Sequence, residues 1–161
     1  MSYVNMEKIL KDARKGGYAV GAFNIVNQMT AKAAVEAAEE LSCPIILQTS
    51  VKTVKQFGIE EMMQFLKPIV ENAKVDVAVH LDHSTDVDFT IACIDGGWSS
   101  VMYDGSKLPL PENIGNTKKI VEAAHAKDVT VEGELGAIVG VEDDIVVDED
   151  QSALANPEDC K

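Results

Sequence analysis

The chain has 161 residues, 46% hydrophobic and 25% charged, enough for one sizeable core and outside the composition of disordered segments. A formal net charge of −13, from 27 acidic and 14 basic side chains with no Lys/Arg cluster, argues against nucleic acid or an anionic membrane surface as partner. No apolar run approaches the ~20 residues that span a bilayer, residues 1–15 lack a signal-peptide core, and Cys43, Cys93 and Cys160 form no C-x-x-C pair, so a reducing cytoplasm is expected.

The predicted elements alternate short β-rich runs with amphipathic helices. Asn5 caps a helix that carries Met6, Ile9, Leu10 and Ala13 on one face and stops at Gly16-Gly17. Residues 19–24 read as a strand, and residues 30–41 place Ala33, Ala34, Ala37, Ala38 and Leu41 at helical spacing. Residues 44–49 (PIILQT) form a continuous apolar run, the pattern of a parallel strand covered on both faces. Ile59, Met62, Met63, Leu66, Ile69 and Val70 mark the clearest helix. Pro68 cannot donate to the carbonyl of Gln64 and is expected to kink its last turn. A strand over 75–81, a helix over about 85–95, a strand over 99–103, a helix over 116–126 and a strand over 129–135 follow. The acidic stretch from Glu142 to Asp150 reads as a solvated loop or a lid.

The strands begin near residues 19, 44, 75, 99 and 129, one βα unit every 24 to 31 residues. Such alternation implies a parallel sheet, either closed as a barrel or open and doubly wound. Asn156-Pro157-Glu158-Asp159 carries a helix-start signature, with a capping side chain, Pro at the first position and two acids at the positive dipole end. Only Cys160 and Lys161 follow it. The expectation is therefore one domain over residues 1–161, an α/β parallel (β/α)8 TIM barrel truncated after about five βα units. An open flavodoxin-like sheet is the alternative.

In a parallel barrel, chemistry gathers where strands end. Those ends carry Asn24, Ser50, His80-Leu81-Asp82-His83, Asp104 and Glu132-Gly133-Glu134. Taken singly, Asn24, Ser50 and Asp104 are explained by strand ends meeting water. Two histidines flanking an Asp are a different matter. Alternation puts His80 and Asp82 on one face with His83 at the turn, bringing a metal ligand beside an acid/base group. Glu132 and Glu134 also share a face, where a cation or proton between them would relieve their repulsion. His125, late in a helix, reads as solvated.

The runs GAFN (21–24), HLDHS (80–84), SVMYDGS (100–106) and VEGELGAIVGVEDD (131–144) together resemble the class II, metal-dependent ketose-bisphosphate aldolases, in order from about Tyr3 to Cys160. The resemblance implies cleavage of fructose or tagatose 1,6-bisphosphate to dihydroxyacetone phosphate and glyceraldehyde 3-phosphate, and the reverse condensation, in glycolysis or hexitol breakdown. It implies that Asp82 exchanges a proton with the C4 oxygen and that Glu142 handles the C1 proton. His83 would bind the catalytic metal, usually Zn2+, with Asp104 and Glu134 at a second or alternative metal position. Glu132 would be a supporting carboxylate, and Asn24 and Ser50 substrate-side residues. Such enzymes use two further histidines from later strands, so the 161-residue chain alone is expected to be inactive and the intact enzyme a homo-oligomer. Two rival readings are a Schiff-base aldolase using Lys107 and a non-catalytic assembly fragment of such a barrel.

Overall fold

Five short strands, β1 (Ala22–Asn24), β2 (Ile45–Ser50), β3 (Val77–Ser84), β4 (Ser100–Tyr103) and β5 (Thr130–Gly133), pair in chain order and all parallel. The structure, a computed structural model, describes residues 2–137, 140–142, 145–147 and 154–160. The order decides between the two architectures expected from sequence. A doubly wound sheet reverses direction at a switch point, whereas an unbroken 1-2-3-4-5 order with right-handed crossovers keeps every connecting helix on one face. The sheet is a five-unit arc of a β/α barrel.

The helices α2 (Gln28–Leu41), α3 (Val51–Phe57), α4 (Ile59–Glu71), α5 (Val87–Gly96) and α6 (Leu110–His125) cover the outer face of that arc. Leu47, Val77, Val79, Leu81, Val101 and Tyr103 point outward into the core, which is completed by Val35 of α2, Leu66 of α4, Cys93 of α5 and Ile120 of α6. Trp98 is buried beneath it and donates from its indole N–H to Thr49 Oγ1 (2.8 Å), which donates in turn to the His80 carbonyl (3.0 Å).

The inner face is organised differently. Its N-terminal end is filled by α1 (Met6–Gly16), whose Met6 and Ile9 pack against Ile46 and Ala78. Asn5 caps α1 by accepting from the Glu7 amide (3.1 Å). The same side chain donates to the Asp128 carbonyl (3.1 Å), and the Met6 amide donates to Thr130 Oγ1 (3.1 Å). The first helix is thus tied to the fifth strand.

Several expectations need correction. α4 runs on through Pro68 to Glu71, so the proline leaves the mid-helix Gln64 carbonyl without its usual amide donor but does not end the helix. α3 is absent from the sequence reading, and α6 starts at Leu110 rather than 116, because Pro111 sits in the first turn, where its missing N–H costs nothing. β1 has three residues rather than six, and β5 ends at Gly133. Part of the acidic stretch forms an antiparallel hairpin, β6 (Gly140–Glu142) with β7 (Ile145–Val147). At Asn156 the side chain accepts from the Glu158 amide (3.1 Å) and the carbonyl from the Asp159 amide (3.0 Å), a turn in place of the announced helix. Among the described residues, no helix is long and apolar enough to cross a membrane.

Candidate active site and metal centre

The site is created by an irregularity in β3. Leu81 pairs with Val101 but Ser84 pairs with Tyr103, so three steps along β3 match two along β4. The extra residue is a β-bulge, and His83 absorbs it with φ 44°, in the left-handed region. Leu81 and Ser84 both face the helices and are fully buried, while Asp82 and His83, adjacent in sequence, both turn to the inner pocket. Without the bulge, alternation would send one of them into the hydrophobic core.

His83 joins two groups of carboxylates. Its Nδ1 lies 3.3 Å from Asp104 Oδ2 and 3.4 Å from Glu134 Oε2, and its Nε2 lies 4.0 Å from Asp82 Oδ1. One ligating atom from each of His83, Asp104 and Glu134 falls within 4.8 Å of the others. A tetrahedral ion with bonds of ~2.1 Å has ligand edges of ~3.4 Å, so the two short separations suit a divalent cation, and an imidazole with two carboxylates is a zinc-compatible donor set. Asp104 is prepared for that role. Burial alone would raise its carboxyl, but hydrogen bonds from His83 and from the Ser106 hydroxyl (2.6 Å) and amide (3.0 Å) outweigh it and hold the pKa at about 2.

A second layer lies deeper in the same pocket, which measures about 720 Å³ and is lined by His80, Asp82, His83, Glu132 and Glu134. His80 is 3% exposed, shares a 2.8 Å hydrogen bond between Nδ1 and Ser100 Oγ, and points Nε2 at Glu132 Oε2 (3.7 Å) and Asp82 Oδ1 (4.0 Å). Burial, reinforced by the charge of His83, pushes its pKa down to about 4. The Glu132 carboxyl is shifted upward, by partial burial first and by the Asp82 carboxylate second.

The remaining sequence candidates separate. Asn24 is exposed at the end of β1. Ser50 caps α3, its hydroxyl accepting from the Thr53 amide (3.2 Å), and in register it sits opposite Asp82. Lys107 is exposed in the turn after β4, beside a separate 440 Å³ hollow that reaches Asp104 from outside. His125 is exposed at the end of α6, away from the site. The backbone of Glu142 ends β6, and its side chain lies outside the described residues.

Asn113, which sequence reasoning missed, holds the far side of the site. It is 4% exposed and donates to the Glu134 carbonyl (2.9 Å), fixing the backbone of a candidate ligand. Gly105 makes room for it, since a Cβ there would lie 2.2 Å from Asn113 Oδ1. A buried Asn eight residues after a strand-end glycine has no signature in a single sequence.

Comparison with known proteins places this geometry in a family. Residues 4–161 match the pattern described as "Fructose-bisphosphate aldolase class-II". The chain is 42% identical over 154 residues to a fructose-bisphosphate aldolase of Thermus caldophilus, covering 96% of this chain and 50% of that protein. It is 39% identical over 160 residues to a sulfofructosephosphate aldolase of Alkalicoccus urumqiensis, covering 99% and 56%. Among solved structures, a proposed fructose-1,6-bisphosphate aldolase from Coccidioides immitis superposes with a TM-score of 0.84 at 27% identity, over 94% of this chain and 54% of that one. The chain spans about half the length of the relatives it matches. It belongs to the class II fructose-bisphosphate aldolase family.

Proposed function

We propose that this chain supplies a proton-transfer residue and part of the metal centre of an enzyme that cleaves a phosphorylated ketose by a retro-aldol reaction. The substrate is fructose or tagatose 1,6-bisphosphate and the products are dihydroxyacetone phosphate and glyceraldehyde 3-phosphate. The observation that carries this reading is the convergence of His83, Asp104 and Glu134 beside Asp82 at the mouth of one pocket. His83, Asp104 and Glu134 would hold a divalent cation, Zn2+ foremost, which when bound acts as a Lewis acid for the oxygen charge left by breaking a C–C bond next to a carbonyl.

The chain's own residues divide the rest of the work. Asp82 takes the proton from the C4 hydroxyl in cleavage and returns it in condensation, a task for a carboxylate within reach of the substrate but not buried against it. Glu142 serves the C1 proton. Glu132, half exposed with a raised pKa, buffers the charge around Asp82. Asn24 and Ser50 face the substrate side of the strand ends. The relatives' names, fructose-bisphosphate and sulfofructosephosphate aldolase, support a ketose bearing an anionic group at each end. The enzyme is read as cytoplasmic and homo-oligomeric, acting in sugar breakdown.

The test measures zinc per chain and cleavage of fructose 1,6-bisphosphate, with and without EDTA, in the purified protein. About one zinc per chain with chelator-sensitive turnover is expected of an enzyme in which these residues are joined to the later strands of the barrel, whereas residues 1–161 by themselves are expected to be inactive. Turnover that survives EDTA and is trapped by borohydride on Lys107 would replace this reading with a Schiff-base mechanism. Neither zinc nor turnover would leave an assembly role.

A further inference from the structure

Ser100, His80, Asp82 and Glu132 form a chain of polar groups running from the buried layer to the pocket, and the retro-aldol reading gives His80 no role. The residue types are those of a nucleophilic serine with its base, but Ser100 is fully buried and no substrate can reach its hydroxyl. The arrangement therefore works in the opposite direction, from Ser100 outward.

The proton positions follow from the surroundings of each ring nitrogen. His80 Nε2 faces two carboxylate oxygens, at 3.7 Å on Glu132 and 4.0 Å on Asp82. A lone pair there would be repelled by both, whereas an N–H dipole is attracted by both. Nδ1 faces only the Ser100 hydroxyl at 2.8 Å, which can donate as readily as accept. The favourable assignment has Ser100 donating to Nδ1 and Nε2–H directed between the carboxylates. Its 3% exposure keeps the ring from reorienting.

We infer that His80 is a positioning residue, held as the neutral Nε2–H tautomer by the Asp82 and Glu132 carboxylates with Ser100 donating to Nδ1, and that its Nε2–H, set between the two carboxylates, keeps Asp82 aimed at the pocket mouth. The inference rests on the reading of Asp82 as the proton-transfer group. Holding such a group matters because a misplacement of ~1 Å can cost on the order of 10²-fold in rate.

Two measurements test it, on purified, metal-loaded enzyme in which these residues are joined to the later strands of the barrel. In protein labelled with 15N-histidine, His80, assigned by its loss in His80→Gln, should show a protonated Nε2 and an unprotonated Nδ1 at neutral pH. Ser100→Ala should leave the Nε2–H tautomer in the majority, because the two carboxylates remain at Nε2. A protonated Nδ1 in the wild type, with Glu132 supplying the proton to Nε2, overturns the inference, and this readout is independent of turnover. In the cleavage assay, the amide of His80→Gln reaches the place of Nε2 and should keep kcat within about tenfold, while His80→Asn reaches only Nδ1 and should lose ~10²-fold in kcat with KM and zinc content little changed. Equal kcat in the two variants overturns it. If the wild type shows the predicted tautomer but no aldol cleavage, the reading of the reaction fails and the tautomer assignment stands.

Discussion

Leu81 and Asp82 are neighbours in the chain and belong to two different economies of the same sheet. Leu81 points outward among Val79, Val101 and the helices, fully buried. Asp82 points inward, with His80, His83 and Glu132, into the inner pocket. The outer face of the central strands is apolar except at Thr49 and Ser84, near the C-terminal ends of β2 and β3. On the inner face, Ile46 and Ala78 form an apolar N-terminal row that α1 covers, while the C-terminal rows carry Gln48, His80, Asp82 and Glu132 beside the single apolar Met102. Cohesion and chemistry are separated by one peptide unit, so the same substitution size should give different losses on the two sides.

Asp82→Asn offers the largest expected effect. It removes the carboxylate proposed to transfer the proton and should lower kcat by ~10²–10⁴-fold, with little change in the urea midpoint, because the isosteric amide fills the same space. Leu81→Ala should do the reverse, costing ~2–5 kcal/mol in urea unfolding through lost burial and a residual cavity. If Asp82→Asn destabilised the fold as much as Leu81→Ala, the division between faces would be wrong.

The pH dependence of stability sharpens the comparison, since His80 is the inner-face group most deeply buried. Its folded pKa of about 4 lies below the ordinary 6.5, so between these values the unfolded chain binds a proton that the folded chain refuses. Stability is therefore full above pH 6.5 and falls as pH drops toward 4, by about 3 kcal/mol in all. The difference between wild type and His80→Gln across that window isolates the effect. Asp104, depressed to about 2, contributes in a lower window, where stability is lost as its carboxylate becomes protonated below pH 4.

Gly105→Ala should act through Asn113 and the Glu134 backbone, weakening zinc binding by about 10–100-fold in a chelator competition, the usual cost of disturbing a ligand's support. The smallest effect is expected far from both faces. Lys127→Met breaks the exposed Lys127–Asp95 pair (2.7 Å) and should leave the unfolding midpoint within error.

The outer face was the legible one. Continuous runs such as PIILQT and the spacing of Met62, Leu66 and Val70 follow from burial on that side, and they locate strands and helices within a few residues. α3 escaped because Val51–Phe57 carries two lysines and a threonine around a single buried Val54, too short for a period to emerge. On the inner face, residue types were readable in HLDH and EGE but their grouping was not. His83 joins Asp104 and Glu134 only because a bulge adds one residue to β3, and bulges are settled by pairing with β4, twenty residues away. Asn113 depends likewise on a contact between α6 and the end of β5.

The bonds from Asn5 to Asp128 and from Met6 to Thr130 bridge sequence separations of 123 and 124 residues. During ribosomal synthesis, α1 emerges before all five strands yet cannot complete these contacts until more than a hundred later residues have left the exit tunnel. Its apolar stripe of Met6, Ile9 and Ala13 must wait, shielded only by what Ile46 and Ala78 offer once β2 and β3 exist. Assembly of this arc thus ends by returning to the earliest made of its own elements, and contacts of such long range place the docking of α1 onto β5 among the slow steps of folding.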